Sequence, residues 1–153
     1  MPNMIGLDIG EHSIKATLFE GSFGRYTFKR TEQEFLSLSD APLQARQHDA
    51  LRNLLNRVGG GGNNFVCTLP SSSVSVRKLR LPFTDRAKIE IALPSLLEEQ
   101  VPFEIEDLTI QHRVIGIEDN SSEILTLIVP TQAIETHLEN LEDHSINPKH
   151  IMV

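Results

Sequence analysis

The sequence contains little cysteine and few aromatic residues. Among its 153 residues there are one cysteine, one tyrosine and no tryptophan. A single cysteine excludes an intrachain disulfide, and the apolar run around Cys67 favours a buried structural thiol over a nucleophile. The scarcity of aromatic side chains argues against a base-stacking surface for single-stranded nucleic acid.

Positively charged residues are outnumbered. The chain has 14 Lys and Arg residues against 21 Asp and Glu residues, which gives a formal net charge of −7 at pH 7. Because a broad phosphate-binding face needs an excess of basic residues, we expect no nucleic-acid partner. The one basic cluster, at Arg77, Lys78 and Arg80, is typical of a solvated strand face.

Long hydrophobic runs are also missing. No segment approaches the roughly 18 consecutive apolar residues of a membrane-spanning helix, and the N-terminal residues lack the basic and apolar regions of a signal peptide. The single cysteine fits a reducing compartment. We therefore expect a cytoplasmic chain that reaches a membrane only through a partner or through residues beyond Val153.

The first 70 residues show the pattern of a mixed sheet with one crossover helix. Apolar residues alternate in three segments and then repeat at helical spacing, before a last apolar run. The predicted elements are strands at 4–9, 14–19 and 25–37, a helix at 43–58 and a strand at 65–69. Pro42 suits the first turn of that helix, and Asp40 or Ser39 could cap it.

A polar break at residues 70–73 predicts the start of a second unit with the order βαββα. Its predicted elements are a strand at 74–81, a helix at 84–100, strands at 108–117 and 124–129, and a helix at 131–141. Pro94 lies inside the first of these helices, and we expect it to kink or split that helix. Residues 150–153 begin another apolar strand, so the sequence looks like part of a longer domain.

The main chemical signal is a glycine turn that follows an acidic residue. Asp8 is predicted near the end of the first strand, Gly10 in the turn, and Ser13 and Lys15 close behind. Backbone N–H groups around Gly10 could cradle a phosphate, while Asp8 could orient a Mg²⁺-bound water and Lys15 could contact the phosphate. The same residues also fit a plain hairpin in which Asp and Gly serve only turn geometry.

Three other patterns are less specific. The glycine run at 59–62 is not followed by Gly-Lys-Ser/Thr, which favours a flexible connector over a phosphate loop. The histidines show no metal-ligand spacing, so we expect no metal site, and His137 and His144 are predicted to be exposed helix residues. The carboxylates within residues 98–107 favour a solvated acidic rim that could meet a basic partner.

Three segments occur in an order that is typical of one family. They are FVCTLPSSSVSVRKLRLP (65–82), LLEEQVPFEIED (96–107) and TIQHRVIG (109–116). They resemble the PilM/GspL family, the actin-like proteins of type IV pilus and type II secretion assembly platforms, and Val101-Pro102-Phe103 occupies the apolar-Pro-Phe signature of that family. Asp8-Ile9-Gly10 is similar to the first phosphate loop of the wider actin, Hsp70 and sugar-kinase superfamily. The resemblance covers nearly the whole chain but does not separate PilM from GspL.

The resemblance implies an α/β (α+β) fold of the actin-like, RNase-H-like type. Residues 1–70 and 147–153 would form a mixed-sheet subdomain called 1A. Residues 71–146 would form an inserted βαββα subdomain called 1C, which is shared with the division protein FtsA.

The resemblance also implies a nucleotide site of which this sequence holds only one wall. Asp8, Gly10, Ser13 and Lys15 would be its vestigial phosphate and Mg²⁺ ligands, while the second phosphate loop and the adenosine-binding glycines would lie C-terminal of this sequence. The bulky residues at 11 and 12 leave little room for a γ-phosphate. We therefore expect no catalysis and no cofactor in this fragment, with ATP and Mg²⁺ left open for a full-length protein.

The implied function is that of a cytoplasmic scaffold at the inner face of the bacterial inner membrane. Its partners would be the N-terminal domain of the assembly ATPase and a cytoplasmic segment of a PilN-type membrane protein. By family analogy a groove at the 1A–1C seam would hold that segment, and the candidate partner-binding residues are Leu69, Val74, Val76, Val101, Pro102 and Phe103. An ATP-binding, polymerising FtsA-like protein and a sugar-kinase-like enzyme are the alternatives.

Overall fold

The computed structural model describes residues 2–59 and 64–153. This part of the chain contains eight strands and three α-helices. The strands are β1 (Met4–Ile9), β2 (Ser13–Ser22), β3 (Arg25–Phe35), β4 (Asn64–Thr68), β5 (Ser75–Leu81), β6 (Leu108–Glu118), β7 (Ser121–Pro130) and β8 (Pro148–Met152). The helices are α1 (Leu43–Val58), α2 (Arg86–Glu98) and α3 (Thr131–Glu142), with short 3-10 helices at Ser71–Ser73 and Ile105–Asp107.

Five strands form one mixed sheet in the order β3-β2-β1-β4-β8. The first three are antiparallel neighbours, which confirms the predicted meander. Strand β4 pairs with β1 in parallel, an arrangement that needs the crossover through α1. Strand β8 then pairs with β4, also in parallel. The predicted α/β fold with a mixed sheet is confirmed.

One face of this sheet carries the core. Successive side chains of a strand point to opposite faces, so Ile5 and Leu7 in β1 share a face with Ile14 and Ala16 in β2. These four side chains are at most 1% exposed. The core is completed by Leu36, Ala50, Leu51, Leu54, Val58, Phe65, Cys67, Leu141 and Ile146.

Helix α1 spans the predicted residues, but the prediction of its cap is wrong. Pro42 takes the N-cap position, and its carbonyl accepts the first helical hydrogen bond from Arg46 N–H at 3.2 Å. No side chain caps the helix, so Asp40 does not serve this role. The Ser39 hydroxyl instead lies 3.2 Å from the Ser37 hydroxyl. The fixed backbone of proline already sets the helix entry, without help from a capping side chain.

Gly59 follows α1 with a φ of 77°, in the left-handed region that glycine adopts without strain. Its N–H donates to the Leu55 carbonyl at 2.9 Å. The rest of the predicted glycine connector, residues 60–62, lies outside the described residues.

Three strands form a second, antiparallel sheet in the order β5-β7-β6. In the central strand β7 the even-numbered residues 122–128 are buried, as the period-two pattern predicts. Ile124 from this face packs with Leu81, Ile89 and Leu93 in a second core. Strands β5 and β6 are the two edges of this sheet.

Helix α2 continues through Pro94, so the expectation that Pro94 splits it is wrong. Ile89, Leu93 and Leu97 recur every four residues and are at most 2% exposed. Burying such side chains contributes roughly 1.5–3 kcal/mol each, so the three together outweigh the cost of about 3 kcal/mol for an interior proline. The carboxylate of Asp85 caps the helix by accepting a backbone N–H at 2.9 Å.

The chain divides into two compact units. One consists of Met1–Ser71 with Thr136–Val153 and contains the five-stranded sheet. The other is Ser72–Glu135 and contains the three-stranded sheet. Among the described residues, no helix has the length and apolar character needed to cross a membrane.

Candidate functional site

The β1–β2 hairpin places Asp8 directly opposite Lys15. The Lys15 ammonium lies 3.6 Å from one carboxylate oxygen of Asp8, and about half of each side chain is exposed. The hydroxyl of Thr68, at the end of the neighbouring strand β4, donates to the other oxygen of Asp8 at 3.2 Å. Both oxygens of the Asp8 carboxylate are therefore engaged by groups of the protein.

The backbone of the turn is engaged as well. Gly10 N–H donates to the Ser13 carbonyl at 3.1 Å, and the Gly10 carbonyl accepts from the Gln47 amide of α1 at 3.0 Å. The His12 carbonyl accepts from Leu36 N–H at 2.9 Å. A Cβ at Gly10 would lie 3.0 Å from the Ser13 carbonyl oxygen, which explains the glycine at this position.

These contacts determine how well the hairpin fits a nucleotide phosphate and Mg²⁺. A phosphate cradle needs backbone N–H groups that are free to point at the anion, but the N–H of Gly10 closes the turn onto Ser13. The ammonium of Lys15 and the carboxylate of Asp8 interact with each other. The structure thus brings the four predicted residues together in one hairpin, in which the Gly10 N–H, the Asp8 carboxylate and the Lys15 ammonium each contact a group of the protein.

A buried histidine lies in the same unit. His137 on α3 is 8% exposed, so the expectation of an exposed helix residue is wrong. Burial lowers the pKa of His137, and a hydrogen bond to the backbone of Thr68 opposes this effect. The sequence contained a signal for the burial, because Ile134, His137 and Leu141 follow the spacing of one helix face.

His144 was also expected to be an exposed helix residue, but it lies just beyond α3 and is half-buried. It packs against His48 of α1, with ring centroids 4.2 Å apart. Burial lowers the pKa of His144, and the neighbouring His48 lowers it further. The Nε2 atoms of His137 and His144 are buried without a hydrogen-bond partner. Within the described ranges, no three His, Cys, Asp or Glu side chains are grouped as metal ligands.

Cys67 is fully buried, as its apolar surroundings predict. Burial raises the pKa of its thiol to about 11. Because the thiolate is the nucleophilic form, such a thiol is unreactive near neutral pH. Cys67 is a core residue.

The predicted partner-binding residues differ in exposure. In the first unit, Leu69 is only 5% exposed. In the second unit, Val76 on the edge strand β5 is 50% exposed, and Phe103, between α2 and β6, is 52% exposed. The remaining three are the half-buried Val74 and Val101 and the exposed Pro102.

The segment around Phe103 is rich in carboxylates. All of them are exposed: Glu98, Glu99, Glu104, Glu106 and Asp107. None forms an ion pair with a residue that the structure describes. Phe103 is therefore an exposed aromatic side chain in a stretch of unpaired negative charge.

The basic cluster on β5 is exposed, as predicted for a strand face. Two of its residues are paired within the second unit. Lys78 lies 2.9 Å from Glu123, and Arg80 lies 3.7 Å from Glu118. These pairs leave Arg77 as the member without an ion pair among the described residues.

Two solved structures match almost the whole chain. A chain of a PilM–PilN type IV pilus biogenesis complex is 18% identical with a TM-score of 0.77, and the match covers 98% of this chain and 47% of that one. The cytoplasmic domain of EpsL, an inner membrane component of the type II secretion system of Vibrio cholerae, is 14% identical with a TM-score of 0.62. This second match covers 98% of this chain and 57% of that one. The chain thus spans about half the length of the solved structures it matches.

These likenesses confirm the predicted actin-like fold of the PilM/GspL type. No curated protein matches the sequence. The sequence profile of the family described as type IV pilus assembly protein PilM matches residues 6–153, and the chain belongs to this family.

Proposed function

We propose that this chain is a scaffold of a type IV pilus assembly platform that binds an extended segment of a PilN-type membrane protein. The observation that carries the proposal is family membership, together with a solved relative of the same fold that is a PilM–PilN complex. Docking of the N-terminal domain of the assembly ATPase, at the cytoplasmic face of the inner membrane, belongs to the same proposal.

The proposal includes the assignment of two subdomains. Residues 1–70 with 147–153 would be 1A, and residues 71–146 would be 1C. The two compact units support this assignment, with one adjustment: residues 136–146, among them the core residue Leu141, fall in the unit of the five-stranded sheet.

The contact surface for the partner would lie on the second unit. Exposed aromatic side chains contribute strongly when an interface buries them, which favours Phe103 as an anchor. The free edge of β5, with Val76 exposed on it, could accept an extended strand of the partner. The unpaired carboxylates of residues 98–107 favour a partner segment that carries basic residues.

The other predicted contact residues would support this surface. Val74 precedes β5, and Val101 and Pro102 precede Phe103, so they continue the same two segments. Leu69 would act indirectly, because it is buried and its N–H donates to the Met152 carbonyl at 2.8 Å.

The proposal also holds that the chain is not an enzyme and does not bind MgATP. The Gly10 N–H that closes the turn onto Ser13 and the Asp8–Lys15 pair support this, since these groups already have partners within the protein. The hairpin of Asp8, Gly10, Ser13 and Lys15 would then be a vestigial phosphate loop with a structural role.

Calorimetric titration tests the proposal directly. The 153-residue chain is titrated with a peptide that carries the cytoplasmic segment of a PilN-type protein, with the N-terminal domain of the assembly ATPase, and with MgATP. We expect saturable heat from the peptide and none from MgATP. Saturable binding of MgATP with no response to either protein partner would overturn the proposal.

Variants locate the surface. Phe103→Ala and Val76→Ser should each weaken binding of the peptide, because each removes an exposed apolar side chain at the proposed contact. Ile91→Ser is the matched control, since Ile91 is 78% exposed on α2 in the same unit but outside the contact. If all three variants bind like the original chain, the surface lies elsewhere and the residue assignment is wrong.

A further inference from the structure

The few aromatic residues of this chain are concentrated in one hairpin. The sequence has seven Phe and one Tyr. Four of these lie in the distal part of the β2–β3 hairpin, at Phe19, Phe23, Tyr26 and Phe28. A concentration of this kind on an exposed element is not explained by the core, because none of the four belongs to the buried cluster of the first unit.

The tip of the hairpin holds Phe23 in a strained and fully exposed position. Its φ is 44°, and that of the following Gly24 is 80°, so both central residues of the turn are left-handed. Glycine and asparagine adopt this conformation readily, whereas a bulky side chain pays a cost of order 1 kcal/mol. Phe23 is 102% exposed and therefore gains no packing in return. A bulky residue at such a position points to a function.

The other three aromatic residues share one face of the hairpin. Phe28 lies opposite Phe19, and Tyr26 lies opposite Gly21. The rings of Phe19 and Phe28 meet edge to face at 6.2 Å. Phe28 remains 58% exposed and Tyr26 39% exposed. The neighbouring Leu18 packs against the core, so this aromatic face points away from it.

The same segment has a charge opposite to that of the chain. Residues 19–31 contain the basic Arg25, Lys29 and Arg30 against the single acidic Glu20, whereas the whole chain has a net charge of −7. Lys29 pairs with Glu20, and Arg30 pairs with Glu32 at 3.2 Å. Arg25, next to the tip, forms no ion pair with any residue of the described ranges.

Acidic residues of β3 lie farther from the tip. Glu32 and Glu34 both pair with Arg57 of α1, at 3.8 Å and 2.7 Å. Among the described residues of the hairpin, Arg25 is therefore the basic residue without an ion pair, and it lies beside the exposed Phe23 at the tip.

From this combination we propose that the tip of the β2–β3 hairpin inserts into the interface of an anionic lipid bilayer. Aromatic side chains partition into the interface between headgroups and acyl chains, and basic residues beside them are attracted by anionic headgroups. Arg25 can extend its charge toward the headgroups while Phe23 enters the apolar boundary. This contact would act in addition to a partner protein, whereas the sequence alone predicted that only a partner or residues beyond Val153 would reach the membrane.

The inference does not depend on binding of a PilN-type segment, and its test uses lipid alone. The 153-residue chain is mixed with vesicles of pure phosphatidylcholine or of phosphatidylglycerol and phosphatidylcholine in equal parts, and bound protein is measured by co-sedimentation. Tyr26 is the only tyrosine and there is no tryptophan, so the intrinsic emission reports on the hairpin alone. We expect binding to the anionic vesicles only, reversed by salt, with Tyr26 protected from acrylamide quenching.

Two variants separate insertion from misfolding. Phe23→Asn places at the tip a residue that tolerates positive φ, so the fold should remain at least as stable. Because the variant lacks the apolar ring, its vesicle partition coefficient should be about tenfold lower. Arg25→Ala should lower the coefficient about fivefold. The matched controls are Leu38→Asn, at an equally exposed apolar residue outside the hairpin, and Arg77→Ala on β5; both should bind like the original chain.

Three outcomes would overturn the inference. The first is the absence of binding to anionic vesicles. The second is binding that Phe23→Asn and Arg25→Ala leave unchanged. The third is a concentration-dependent dimer in gel filtration that Phe23→Asn abolishes, because the aromatic face would then serve a second copy of the chain.

Discussion

The Lys15 ammonium and the Asp8 carboxylate face each other across the β1–β2 hairpin at 3.6 Å, and Thr68 donates to the same carboxylate from β4. This arrangement joins three neighbouring segments of the five-stranded sheet by polar contacts at one end. In a functional phosphate site the same ammonium and carboxylate would instead face a ligand. The energetic strength of the pair therefore bears on both the stability and the function of the hairpin.

We predict that the Asp8–Lys15 pair contributes little to stability. Because about half of each side chain is exposed, solvent screens the attraction, and a double-mutant cycle with Asp8→Ala and Lys15→Ala should give a coupling of about 0–1 kcal/mol. Urea denaturation of the four proteins measures it. A coupling well above this range would show that the pair is more shielded from water than the structure indicates.

Gly10 and Gly6 form a matched pair for a test of the turn. A Cβ at Gly10 would lie 3.0 Å from the Ser13 carbonyl oxygen, whereas a Cβ at Gly6 would have no atom within 4 Å. We expect Gly10→Ala to destabilise the fold by about 1 kcal/mol or more, and Gly6→Ala to be neutral or stabilising by up to about 0.5 kcal/mol. Thermal denaturation of both variants checks this. Equal effects at the two positions would contradict the close approach at Gly10.

Much of the fold could be predicted from periodicity. The alternation along β7 and the helical spacing along α1 gave element bounds within a few residues, because each element buries one face and solvates the other. The parallel return of β8 beside β4 could not be read from spacing, since strand order depends on long-range packing. The family resemblance assigned residues 147–153 to the same subdomain as β4 but did not give their pairing.

The predictions from the sequence that were wrong have physical causes as well. Pro94 was expected to kink or split α2, but the helix is not split, because the buried face of Ile89, Leu93 and Leu97 outweighs the local preference of proline. His137 was expected to be exposed because histidine is polar, yet its position on the face of Leu141 buries it. The strain at Phe23 and the closed turn at Gly10 depend on backbone geometry, which residue types alone do not reveal.

Two isoleucines of α2, one on its buried face and one on its exposed face, should differ widely in how much their replacement destabilises the fold. Ile89 is fully buried and Ile91, two residues later, is 78% exposed. Ile89→Ala should cost about 2–5 kcal/mol through lost burial and a cavity, whereas Ile91→Ala should stay within about 0.5 kcal/mol. Urea denaturation followed by circular dichroism provides the comparison. Similar costs for the two variants would place α2 in a different rotational orientation.

The lowered pKa values of His137 and His144 predict that the protein is less stable in mild acid. Burial lowers the pKa values of His137 and His144 from the usual 6.5 in the folded state. Below pH 6.5 the unfolded chain therefore binds more protons than the folded one, and the free energy of unfolding decreases as pH falls toward the folded pKa values. Above this window the two histidines are neutral in both states and contribute no pH dependence.

Replacing His137 should reduce this dependence. His137→Asn removes the titrating group but keeps an amide that can donate to the Thr68 backbone. The decrease in the free energy of unfolding between about pH 7.5 and pH 5.5 should therefore be smaller in this variant. The difference is at most about 1.4 kcal/mol for each unit by which burial lowers the pKa of His137. Urea midpoints at several pH values measure the change. Leu138→Asn, at the next residue of α3, controls for the new amide and should leave the slope unaltered. If the slope of His137→Asn equals that of the original chain, the imidazole is not held neutral by burial, and the acid sensitivity must come from other groups.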